Sequence, residues 1–179
     1  MKITRSMAIG FAAVAILAAA TGNRKVTNNA QSPSADTSVK LKGREITIEY
    51  NAPSARGRKV EGGLIPYGQW YRMGADSATT LTTEADVTIG SLQVPKGAHT
   101  LYLLASENGD WKLIVNNQTG QWGTVYDESK DLGRTSMKVT KLSSPVDTFK
   151  ITLTSVEPDQ AALSVEWGTT KASVPVKLR

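Results

Sequence analysis

The residues best equipped for recognition chemistry crowd into one stretch, "YNAPSARGRKVEGGLIPYGQWYRMGADSATT" at positions 50–80, where Arg56, Arg58, Lys59 and Arg72 stand among Tyr50, Tyr67, Trp70 and Tyr71. A guanidinium is a planar fork of donors that matches a carboxylate or phosphate, and aromatic rings stack on a sugar or another flat ligand. A second stretch, "NNQTGQWGTVYDE" at 116–128, sets Trp122 and Tyr126 beside Asn116, Asn117, Gln118 and Gln121. If the two stretches meet, Arg58, Trp70, Arg72, Asp76, Trp122 and Tyr126 make one aromatic and basic surface suited to a glycan or a small anionic ligand. A structural reading competes for the same residues. In it Leu64, Ile65 and Trp70 plug one end of the core, and Arg56, Arg58 and Arg72 neutralise acids such as Asp76 or Asp127. Between the two arginines, Arg72 is expected to act structurally and Arg58 to face a ligand.

Catalytic groups are fewer. His99 is the only histidine and alternates with Leu101 and Leu103, which makes it a core or rim residue rather than a general base. Ser54 or Ser77 can be drawn into a triad with His99 and Asp76, but no nucleophile-elbow motif accompanies them. The carboxylates Asp127, Glu128 and Asp131 in "YDESKDLGR" read first as a polar turn. A lone histidine and the absence of cysteine exclude multi-histidine and thiolate metal sites, leaving only an all-oxygen calcium site open, and no cofactor is called for. The expectation is a binding module without catalysis of its own. The alternatives are a hydrolase using carboxylates on the two loops, and a purely structural envelope protein.

What must position these residues begins with a cleavable leader. Lys2 and Arg5 precede an apolar run from Met7 to Ala20, shorter than the roughly 20 residues of a membrane span and ending in a small-residue site. Residues 1–20 therefore read as a signal peptide and place the mature protein in the periplasm or outside the cell; with no cysteine to carry lipid, no membrane anchor remains after cleavage. Residues 21–38, rich in Asn, Ser and Thr without hydrophobic period, read as a flexible polar leader. Cleavage removes Lys2 and Arg5 from 21 basic residues, which leaves 19 against 16 acids, about +3. Without a basic run, nucleic acid is excluded as a partner.

From Val39 to Arg179 the chain is one domain whose apolar residues alternate with a period of two. Val39 and Leu41 precede a Lys42-Gly43 turn and Ile46, Ile48 and Tyr50 follow it; Val87, Ile89, Leu92 and Val94 flank Gly90-Ser91; "NGD" joins two further strands. Phe149, Ile151 and Leu153 run to a turn at "EPDQ"; Leu163, Val165 and Trp167 return to another expected turn at "GTTK", and Val174, Val176 and Leu178 close the chain. Pro175 cannot donate to a ladder, so its strand is at an edge or its position faces away from a partner. The pattern predicts an all-β antiparallel sandwich of about 8 to 10 strands, interrupted by one long crossing loop that its prolines and aromatics keep ordered.

The segments "ITIEYNAPSARGRKVEGGLIPYG", "YRMGADSATT", "TIGSLQVPKGAHTLYLL", "WKLIVNNQTGQWGTVYDESKDLGR" and "KASVPVKL" together resemble the bacterial secreted family known as domain of unknown function 2911, over about residues 39–178. The resemblance implies an exported β-rich domain and supplies no catalytic residue. Two departures from the family's "WRTGAN" pattern matter: Tyr71 replaces its Trp, and Asp76 replaces its Asn, putting a carboxylate where a ligand would otherwise meet a neutral amide.

Overall fold

A computed structural model describes residues 32–179; the expected signal peptide, and the leader up to residue 31, lie outside the described residues. The alternation does build strands: β1 (Ser34–Leu41), β2 (Arg44–Asn51), β3 (Trp70–Arg72), β4 (Thr80–Thr83), β5 (Val87–Ile89), β6 (Leu92–Val94), β7 (Gly97–Leu104), β8 (Trp111–Asn116), β9 (Asp131–Glu157) and β10 (Gln160–Leu178). All pair antiparallel in one sheet of order β1-β2-β4-β7-β8-β9-β10-β5-β6, with β3 also paired to β7. β1 begins at Ser34, so the last five residues assigned to the leader are strand; Thr37 even supplies its hydroxyl to the backbone N–H of Leu153. Their polar composition hid this, because over Ser34–Ser38 β1 buries only alternate side chains and those only in part.

The sheet becomes a sandwich by folding over along β9. Residues 131–137 of β9 pair with β8, and from Lys138 onward the strand pairs with β10. Its later part returns against the first strands, where the Tyr50 hydroxyl meets both the N–H (3.1 Å) and the carbonyl (3.4 Å) of Ile151. Ile46, Ile48, Leu101, Leu103, Leu113 and Val115 face Phe149, Ile151, Leu163, Val165 and Trp167 across one core. Phe149 and Trp167 are buried, with ring centroids 5.5 Å apart, and the Trp167 indole N–H donates to the Asp147 carbonyl at 2.8 Å.

Two strand expectations change in detail. "GTTK" is not a turn: β10 runs through it with register shifts around Gly168, and the Glu61 carboxylate accepts from Thr169 N–H (3.0 Å) and Thr170 hydroxyl (2.7 Å) there. Pro175 lies on an interior strand, but the pairing of Val176 with Ile89 puts it opposite Gly90, the φ +58° residue that starts the β5–β6 turn. Its missing donor therefore falls at the end of a ladder. Glycine is required at 90 for a second reason, since a Cβ would stand 2.2 Å from the Thr135 hydroxyl.

Of the 50–80 stretch expected as one ordered crossing loop, the eighteen residues 52–69 between β2 and β3 form such a loop, while 70–72 are strand β3. Val60 and Ile65 are buried, Leu64 half-buried, and backbone bonds such as Ile65 N–H to Val60 carbonyl (2.9 Å) and Gly68 N–H to Ala105 carbonyl (2.8 Å) hold the bends. Trp70 does not plug the core. It packs on the opposite side of the sheet against Tyr102 and Tyr126, at centroid distances of 5.6 and 4.9 Å. The runs "LYLL" and "KLIV" are continuous because β7 and β8 are buried on both faces: Tyr102 and Ile114 are 1% exposed yet stand outside the main core.

Candidate functional site

The site starts from a break in a strand. β3 pairs with β7 up to Arg72 opposite Tyr102, and β4 resumes at Thr80 opposite Thr100, so residues 73–79 stand opposite Leu101 alone. Seven residues against one make an excursion far larger than an ordinary bulge, and its backbone has to take unusual angles. Gly74 sits at φ +148°, where a Cβ would approach the Asn51 carbonyl to 2.8 Å, and Asp76 sits at φ +56°. Asp tolerates this left-handed region because its short polar side chain bonds locally.

The excursion is fastened on all sides. Gly74 N–H closes a tight turn on the Arg72 carbonyl, Ala75 N–H donates to Asn51 carbonyl (3.0 Å), Gly123 N–H donates to Asp76 carbonyl (2.8 Å), and Thr79 hydroxyl donates to Met73 carbonyl. Tyr71 completes it with a hydroxyl bond to the Gly74 carbonyl at 3.1 Å, and burial pushes its phenol well above the ordinary tyrosine range. Thus the residue that replaces the family pattern's Trp locks the turn.

Between the excursion, the crossing loop and Trp167 lies a cleft of about 250 Å³. Arg58, Arg72 and Asp76 supply its charges; Tyr71, Leu64 and Trp167 supply its apolar wall. Arg58 is held by its own loop, donating through Nε to Ala55 carbonyl (2.9 Å) and through Nη2 to Ser54 carbonyl (2.8 Å). The expected division of roles is not seen: it is Arg58 that makes the structural bonds, whereas the Arg72 guanidinium has no polar partner among the described residues and only its stem is held, since a Cβ at residue 123 would come within 2.9 Å of its Cδ and only glycine there lets the 117–130 segment lie along it. Among the described residues neither arginine forms an ion pair, and the expected pairing of Arg56, Arg58 or Arg72 with Asp76 or Asp127 is not made. Asp76 is buried, and its carboxylate accepts one bond, from Ser32 N–H at 3.2 Å on Oδ2. Two guanidiniums and one carboxylate leave the cleft positive.

Residues 32–176, which include every group named above, match the family model described as "Protein of unknown function (DUF2911)". The chain belongs to this family. No curated protein and no solved structure matches this DUF2911 domain.

Of the six residues expected to form one surface, Arg58, Arg72 and Asp76 meet in the cleft. Trp70 and Tyr126 belong to a second cleft of about 310 Å³ on the other side of the sheet, and Trp122 lines neither. The two stretches do meet, through the bridge of Ser77 to Trp122 and the contact of Gly123 with Arg72, but Trp122 itself is left 40% exposed. In the second cleft Tyr126 donates to Asp131 Oδ2 at 2.7 Å and accepts from Arg134 at 3.0 Å. Burial, then the hydrogen bond and charge of Asp131, push the Tyr126 phenol up to about 12. Arg134, which the sequence reading left unassigned, also bonds Asp131 and Glu128; its place eight residues after Tyr126 in an acid-rich segment was the available signal.

The catalytic candidates are dispersed. His99 is buried on β7 with Nε2 2.9 Å from the Pro95 carbonyl, lining neither cleft. Ser54 bonds Thr148, and Asp127 accepts from Ser129 N–H to start the 3-10 turn at Glu128–Lys130. Among the described residues no group of three or more His, Asp or Glu is placed to hold a metal ion.

Proposed function

We propose that this exported domain binds an anionic polar ligand, an acidic sugar or a related carboxylate or phosphate, in the Arg58–Arg72 cleft, and does so without catalysis. The observation that carries the reading is the pair of guanidiniums left without carboxylate partners in a cleft whose backbone is rigidly fastened. Their remaining N–H groups have the geometry for oxyanions, and pre-fastened walls reduce the ordering cost of binding. The hydrolase alternative has less support, because Asp76 is the single carboxylate among the described residues that line this cleft, whereas paired-carboxylate hydrolysis needs two, and Glu128 and Asp131 on the other side of the sheet are both tied up by Arg134.

Thermal shift and calorimetric titration with phosphate, citrate and glucuronate test the reading. The expected result is a melting temperature that climbs with ligand concentration, an affinity that falls as sodium chloride is added, and loss of both in Arg72→Gln with its unliganded melting point kept. No shift with any of the three anions, or a shift unchanged in Arg72→Gln, overturns it.

A further inference from the structure

The second cleft has the opposite electrostatics and calls for a different ligand. We infer that the Trp70–Tyr126 cleft is a binding site for a neutral saccharide unit, separate from the anion cleft. Its arginine is already neutralised: Arg134 meets Asp131 through Nε (3.2 Å) and Nη2 (3.0 Å), meets Glu128, and meets the Tyr126 hydroxyl. Two carboxylates against one guanidinium disfavour an anion there. A free cation fares little better, because both carboxylates are engaged by Arg134.

What remains available suits a polyol. Trp70 and Tyr126, packed on each other with centroids 4.9 Å apart and rings tilted by 37°, line it together with Leu104 and Ile114, and the outward side of such an aromatic pair accepts the apolar C–H face of a pyranose while its edges stay wet. Around the rings stand planar polar groups with unused capacity. Arg134 Nη1 and both ends of the Gln69 amide have no partner among the described residues, and Glu128 uses one carboxylate oxygen on Arg134. A guanidinium donates, a carboxylate accepts and an amide does both, which is the mixed demand that vicinal hydroxyls make. The volume lies at the low end for small-ligand sites, enough for a single sugar ring. The rings are immobilised by Tyr102 beneath them, whose hydroxyl donates to Val125 carbonyl at 2.7 Å and accepts from Gln121 at 3.1 Å, so binding does not have to order them.

The test is an NMR titration of the full chain with cellotriose, maltotriose, chitotriose and free glucuronate, read at the Trp70 indole N–H, with Arg58→Gln and the double variant Gln69→Ala/Glu128→Ala in parallel. Gln69 and Glu128 are exposed, so the double variant keeps the fold. At least one neutral trisaccharide is expected to shift the Trp70 signal, with affinity unchanged by added salt or by Arg58→Gln and about tenfold weaker in the double variant. No shift with any neutral sugar, a shift with glucuronate alone, or an affinity unaltered in the double variant overturns the inference. Because the anion reading is tested by Arg72→Gln at a different cleft, the two can fail separately.

Discussion

Asp76 holds the least expected combination of properties in the molecule: a left-handed backbone, a nearly buried carboxylate with one hydrogen bond, and two arginines in the same cleft that it does not pair with within 4 Å. Asn shares Asp's tolerance of positive φ, so Asp76→Asn should keep the turn and change stability by no more than about 0.5 kcal/mol. Removing a negative charge a few ångströms from a bound anion removes a repulsion of about 1 kcal/mol or more at surface-like dielectric. The variant should thus bind phosphate or glucuronate several-fold more tightly by calorimetry; weaker binding would mean that Asp76 receives a ligand donor. Tyr126 offers a second check at this scale. An unfolded tyrosine ionises near 10, whereas in the fold burial and Asp131 raise Tyr126 to about 12. Below pH 10 both states keep the proton, and between about 10 and 12 only the native state does, so this contribution to stability is lost as pH rises through that window. The difference in tyrosinate absorbance between the protein and Tyr126→Phe should titrate near 12; a midpoint near 10 would show that the Asp131 bond is not formed in solution.

At the scale of elements, the strands with buried apolar residues were readable, β7 and β8 included, and the polar stretches of strand were missed for physical reasons. β2, β5, β6 and the paired ends of β9 and β10 bury one face, and their apolar residues fell at every second position as expected. Tyr102 and Ile114 broke the pattern because the 117–130 segment covers the outer face of β7 and β8, a cover that no local period announces. β9 was hidden along "KVTKLSSPVD", whose side chains are mostly exposed and polar while its backbone joins two halves of the sheet. The site was legible as composition: arginines, aromatics and fixed bends between two strands. Its division into two clefts was not, since alternation along β3 sends Trp70 and Tyr71 to opposite faces of a strand only three residues long. Two substitutions test these elements. Trp167→Ala opens the core where Phe149, Tyr71 and the Asp147 carbonyl meet the indole, and should cost about 3 to 5 kcal/mol by denaturant titration; an unchanged midpoint would refute the β9–β10 register. Glu61→Gln tests the crossing loop. Burial alone would raise the Glu61 carboxyl, but bonds from Thr170, its own N–H and Thr169 outweigh it and hold the group below the usual carboxylate range. Its stabilising effect is present above the unfolded value near 4.3 and is lost as pH falls through the lower folded value. Glu61→Gln should therefore melt earlier than the parent at neutral pH, with the gap closing under acid conditions.

The whole molecule depends on β9 belonging to both layers. Met137 pairs with Trp111 of β8 and the next residue, Lys138, pairs with Ser173 of β10, so no linker separates the layers and neither can complete its hydrogen-bond ladder without the shared strand. Side chains from both layers fill one core, and Tyr50 and Thr37 bond the backbone of β9 across it. Two layers joined by a flexible segment would open independently, whereas layers sharing a continuous strand and one core have to open together. Native-state hydrogen exchange reads the difference directly. The amides of Leu113 and Val115 on β8 and of Leu163 and Val165 on β10 should converge, as denaturant is added, on one opening free energy equal to that of global unfolding. Pairings such as Tyr50 with Ile151, about a hundred residues apart in sequence, also have to close before the core gains anything, which places refolding in the slow range of milliseconds to seconds typical of non-local β topologies. If β10 opened at a markedly lower free energy than β8, β9 would be a hinge between two separable layers, and the Arg58–Arg72 cleft, which draws Trp167 from β10 and Arg72 from β3, would lose its fixed walls whenever the hinge moved.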